Sequence, residues 1–84
     1  MVRQIVPRFF FHTEDGRCFS DEDGTDLPDL EAAKAEALRL IGEVAREDAA
    51  EFWATGELRV TVADHRNLTL FALDMSAIMP PAIR

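Results

Sequence analysis

The chain has 84 residues, 48 % of them hydrophobic and 30 % charged, with a formal net charge of −7 at pH 7. That length closes one core and not two, the apolar content argues against a disordered chain, and the negative surplus repels phosphate backbones and anionic lipid, so neither nucleic acid nor a membrane is expected as a partner. No run of about 18 apolar residues is present to span a bilayer, Arg3, Pro7 and Arg8 interrupt the amino end before a signal-peptide core can form, and Cys18 is the single cysteine, which together lead to an expected cytoplasmic location with a reduced thiol.

Residues 1–7 read as an amino-terminal extension, residues 8–75 as a single domain and residues 76–84 as a loosely held tail broken by Pro80-Pro81. The domain opens on RFFFHTEDGRCF, Arg8 to Phe19. Asp15-Gly16 is a strong two-residue hairpin signal, because both central positions of a type I′ turn need positive φ. Pairing outward from it sets Glu14 opposite Arg17, Thr13 opposite Cys18 and His12 opposite Phe19. Strand alternation then puts Phe9, Phe11, Thr13 and Cys18 on one face and Phe10, His12 and Phe19 on the other.

The acidic stretch DEDGTDLPD, Asp21 to Asp29, has no apolar periodicity and predicts a loop into a helix, with Asp29 as N-cap and Glu31 placed to suit the helix dipole. Leu30, Ala33, Ala37, Ile41 and Val44 recur at helical spacing, widened by Leu38, Ala45, Ala49 and Phe52, which predicts one long amphipathic helix ending near Trp53 or Ala54 before Gly56. Gly42 within it suggests close approach to a sheet. Period-two alternation returns at Leu58, Val60 and Val62, Asp64 to Asn67 makes a turn, and Leu68 to Leu73 forms the last strand. That strand has Phe71 and Leu73 on one face and Leu70 and Ala72 on the other, as in a central strand or a subunit contact. The expected fold is α+β in the order β-β-α-β-β, a four-stranded antiparallel sheet with one long helix packed on one face.

Few residues carry recognisable chemistry. Asp21, Glu22, Asp23 and Asp26 invite a calcium reading, but setting Gly24 at the glycine of an EF-hand loop puts Phe19 at its first ligand position and Leu30 at its last. His12 and Cys18, read on opposite faces, argue against a shared metal, and His65 lies in a turn. Nucleophilic catalysis at Cys18 would need an activating base and an oxyanion hole, and no glycine-rich nucleophile elbow surrounds it; the four scattered glycines form no phosphate-binding loop. No catalytic, metal or cofactor residue is therefore assigned. The candidate interaction surface is His12, Phe10 and Phe71, since the strands place aromatics on both faces.

PRFFFH followed by DG, then DEDGTDLPDLEAAKAEA and a closing two-stranded segment, resembles a family of small uncharacterised alphaproteobacterial domains. Members open with Pro-Arg, aromatics and His, pass to an acidic D-x-x-G-x-D/E-L stretch and enter an Ala- and Glu-rich helix. The resemblance covers Pro7 to about Leu73 and implies no activity. DLPDLEAAKAEAL is also similar to HicB-like antitoxins, although those domains use three strands before the helix and only two are read here. The expectation is a bacterial, non-catalytic interaction or accessory domain, homodimeric, with no cofactor. The alternatives are an antitoxin-like protein neutralising a small basic partner and, more remotely, a metal- or carboxylate-dependent enzyme.

Overall fold

The computed structural model describes residues 6–81, so positions 1–5 of the extension read at residues 1–7, and positions 82–84 of the tail read at residues 76–84, lie outside the described residues. The elements are β1 (Arg8–Glu14), β2 (Cys18–Phe19), β3 (Thr25–Asp26), α1 (Leu30–Glu47), α2 (Ala49–Thr55), β4 (Glu57–Ala63) and β5 (Thr69–Ser76). The class is α+β as expected. The antiparallel sheet runs β2-β1-β4-β5, and β3 joins β1 on the same edge as β2. The sheet thus has a fifth, two-residue strand, drawn from a stretch that reads as loop.

One sheet face forms the core. Phe9 and Phe11 of β1 and Leu58, Val60 and Val62 of β4 are buried against Ala33, Ala37 and Ile41 of α1 and Phe52 of α2. Alanines at the contact let the helix backbone lie close to the strands, and the valines fill the space beneath it. Val60 and Val62 are fully buried, so trimming either to Ala costs on the order of 2 kcal/mol.

Asp29 caps α1 as expected: its Oδ1 accepts the Ala32 N–H at 2.9 Å. Gly56, at φ 76°, ends α2 in the left-handed conformation that glycine takes without a Cβ clash. Between them the single long helix is broken. Asp48 sits at φ −114° and ψ 43°, and α2 starts afresh, with Phe52 donating its N–H to the Asp48 carbonyl at 3.0 Å. Aspartate tolerates such a break because it favours helix interiors weakly. Gly42 is exposed, and a Cβ there would meet nothing within 4 Å, so it makes no close approach to the sheet.

The first hairpin closes one residue later than the sequence suggests. Thr13 pairs with Phe19 and Glu14 with Cys18, leaving Asp15, Gly16 and Arg17 as a three-residue loop. A type I′ turn needs positive φ at both central residues, and here Gly16 has it and Asp15 does not. The Asp15 N–H instead donates to the Arg17 carbonyl at 3.1 Å, and the Asp15 carboxylate accepts from the Arg17 N–H at 3.4 Å. A one-residue slip exchanges faces. Cys18 therefore sits with Glu14 and His12, and Phe19 with Thr13, the reverse of the expected arrangement.

The second hairpin turns at Asp64 to Asn67 as expected, with Asn67 at φ 65°. The last strand is longer than expected, reaching Ser76, and the Ala77 N–H donates to the Gly56 carbonyl at 2.9 Å. Among the described residues β5 is an edge strand and not a central one, since β4 is its single sheet neighbour there. A bulge between Val62 and Ala63 shifts its register, so that Val62 faces Phe71 and Ala63 faces Thr69.

Candidate interaction surface

Phe10 and His12 of β1 lie on the sheet face that the helices leave open, whereas Phe71 of β5 lies on the helix side, in register with Val62 and Phe11 and packed against the core. The structure brings the first two together and separates the third from them. All three are half-buried. Phe10 and His12 line a shallow concavity of about 220 Å³ with Asp21, Asp64, His65 and Asn67.

His12 is held by the acidic stretch. Its Nδ1 accepts the Asp21 N–H at 3.0 Å, which places the proton of the neutral ring on Nε2. The Asp21 carboxylate returns to the same strand: Oδ2 accepts the Phe11 N–H at 3.1 Å, while Oδ1 accepts from Asp23 at 3.1 Å and Gly24 at 3.0 Å. Phe11 lies on β1 between the residues paired with β2 and those paired with β3, where its edge has no strand partner. Asp21 thus supplies by side chain the acceptor a strand would have supplied by backbone. Burial opposes ionisation of Asp21, but the Gly24, Phe11 and Asp23 N–H groups outweigh it and hold the carboxyl below its usual range.

Arg8 completes the clasp from the other end of β1. Its Nε donates to Asp26 Oδ1 at 2.9 Å, its Nη2 to Oδ2 at 3.3 Å, and its Nη1 to the Asp23 carbonyl at 2.9 Å. This forked contact is half exposed, so it fixes direction more than it adds stability. Gly24, at φ 76°, lets the stretch pass close over β1: a Cβ there would stand 2.8 Å from Arg8 Cγ and from Phe10 Cε2. Pro7 O accepts the Leu27 N–H at 3.1 Å. Pro-Arg-aromatic-His and D-x-x-G-x-D-L are therefore the two halves of one fastening. Sequence reading missed it; the available signal was an Asp three residues before a Gly, the spacing at which a carboxylate accepts from its own turn.

The same geometry decides what the acidic stretch can do chemically. Calcium would need the Asp21 lone pairs that already accept three N–H groups. The corrected register puts His12 and Cys18 on one face, so their supposed opposition no longer argues against a metal. Among the described residues, however, no three His, Cys, Asp or Glu side chains are grouped to hold one. Cys18 is exposed, but the Glu14 carboxylate across the hairpin accepts a hydrogen bond from the thiol and opposes the thiolate by its charge, which pushes the thiol up from its ordinary value.

A second hollow, of about 470 Å³, lies at the end of the sheet where Glu14, Glu57, Arg59 and Asp74 meet. There Arg59 Nε donates to Asp74 Oδ1 at 2.6 Å and Nη2 to Oδ2 at 3.1 Å, across the β4–β5 pair. No helix among the described residues is long and apolar enough to cross a membrane.

No curated protein and no solved structure matches the chain. A family model, described as a domain of unknown function (DUF6894), matches residues 8–76, the span from the first residue of β1 to the last of β5. The chain belongs to that family.

Proposed function

We propose that the chain is a small non-catalytic interaction domain that works as a homodimer. One observation carries the reading: the side chains with the most chemical potential are used up in joining β1 to the acidic stretch, Arg8 pairing with Asp26, the Asp21 carboxylate accepting the Phe11 N–H and His12 accepting the Asp21 N–H, so their role is to fasten the sheet. Cys18 beside Glu14 is a thiol made less acidic, the opposite of an activated nucleophile. What the fold offers another molecule is surface, including an edge strand of eight residues.

An antitoxin-like role toward a basic protein is the second reading, supported by the net charge of −7 and by a third short strand before α1. Salt separates the two. Copies carrying −7 each repel, so screening strengthens a homodimer, whereas the attraction to a basic partner weakens with salt. Sedimentation velocity across protein concentration at low and high salt is expected to show a dimer that tightens with salt. A monomer at every concentration and salt overturns the homodimer.

A further inference from the structure

Resting on the homodimer reading, we infer that the second copy adds to β5 edge to edge, the two β5 strands running antiparallel about a two-fold axis close to Ala72, so that two sheets become one. The strand's burial points to this arrangement. On β4 the helix-facing residues Leu58, Val60 and Val62 are 2 %, 0 % and 0 % exposed, whereas their partners across the ladder, Met75, Leu73 and Phe71, are half-buried. The core is thus closed at β4 and incomplete at β5. Among the described residues no strand pairs with the outer side of β5.

Soluble proteins protect such edges with proline, lysine or inward-pointing charge. Residues Thr69 to Ser76 contain none of these; Asp74, the one charged residue, lies on the open face and is neutralised by Arg59 of its own chain. The bulge between Val62 and Ala63 lies at one end of the strand and leaves Phe71 to Ser76 regular.

A second copy fits this edge by its own sequence. Centring the pair on Ala72 sets Phe71 opposite Leu73 of the other copy and Leu73 opposite its Phe71, an aromatic-aliphatic pair on the helix side that covers what α1 leaves uncovered. The small Ala72 side chain lies at the axis on the open face, and the Asp74 carboxylates stand away from each other. A two-fold axis normal to the sheet also places both helix layers on one side, so each half-closed core continues into the other.

Two variants test this, read by sedimentation velocity and by oxidative cross-linking. Ala72→Glu puts two carboxylates opposite each other at the axis and is expected to raise the dimer dissociation constant at least tenfold with the circular dichroism spectrum unchanged. Ala72→Cys in a Cys18→Ser background is expected to form an interchain disulfide, since residues directly opposite in an antiparallel pair have Cα atoms about 4.5–5.5 Å apart. Ser76→Cys in the same background, far from the axis, is expected to give none. A wild-type dimer that Ala72→Glu leaves intact and that Ala72→Cys does not cross-link overturns the edge pairing while the homodimer stands. A wild-type monomer overturns both.

Discussion

Asp21 and His12 join the acidic stretch to β1 twice over. The Asp21 N–H donates to His12 Nδ1 at 3.0 Å, and the Asp21 carboxylate accepts the N–H of Phe11, the residue beside His12, at 3.1 Å. The imidazole read from the sequence as part of an interaction surface is thus an acceptor in the fastening of β1 to the acidic stretch. Removing the carboxylate in Asp21→Ala leaves the N–H groups of Phe11, Asp23 and Gly24 without their acceptor, and stability is expected to fall by about 2–3 kcal/mol in urea unfolding. His12→Ala is expected to cost less, about 1 kcal/mol, because it removes one acceptor and a half-buried ring.

Acid acts on the same clasp. Asp21, Asp64, Asp74 and Glu36 are all held below their ordinary values. A carboxyl whose folded pKa is depressed contributes stability that is fully present above its unfolded value and is lost as pH falls through the folded one. The ordinary values here are 3.8 for Asp and 4.5 for Glu. The melting temperature is therefore expected to stay level with respect to these groups from neutral pH to about pH 5 and to fall below about pH 4. Asp21→Asn is expected to flatten that fall, as seen in melting curves taken across the acid range.

Two glycines make opposite predictions. Gly42 lies in the exposed middle of α1 with open space where a Cβ would go, so Gly42→Ala is expected to stabilise by up to about 1 kcal/mol. Gly24 has φ 76° and would bring a Cβ to 2.8 Å from the Arg8 and Phe10 side chains. Gly24→Ala is expected to destabilise by about 1–2 kcal/mol through that conformation and the contacts with Arg8 and Phe10. Chemical denaturation of both variants beside the parent checks the signs.

Exposure alone makes Cys18 look reactive, and Glu14 opposes that. With the thiol pushed up by the facing carboxylate, alkylation by iodoacetamide at pH 8 is expected to be slower than for an unhindered cysteine peptide. Glu14→Gln is expected to speed the reaction severalfold. Equal rates in parent and variant would count against the Glu14–Cys18 contact.

Much of the architecture was legible because it rests on local chemistry. Asp29 before an apolar helical stripe, Gly56 after it, and the alternation of Leu58, Val60 and Val62 each follow from backbone and side-chain preferences within a few residues. The break at Asp48 was not legible, because the apolar stripe runs through it and Phe52 fits an unbroken helix equally well. The register of the first hairpin was missed by one residue, since Asp-Gly marks a turn without saying whether Asp15 will take positive φ.

By itself, the sequence determined the α+β class, the order of the main elements and the apolar faces of α1 and β4, because helical and strand periodicities are properties of neighbouring residues. Only the tertiary structure decided that β5 lies at an edge, that Phe71 faces the helices while Phe10 and His12 face away, and that Asp21 replaces a strand beside Phe11. Those outcomes depend on which groups meet across 10 or more residues of chain, as Phe11 meets Asp21 and Arg8 meets Asp26. A one-residue slip in such a meeting turns every side chain of a strand to the other face, while leaving the periodicity of its sequence unchanged.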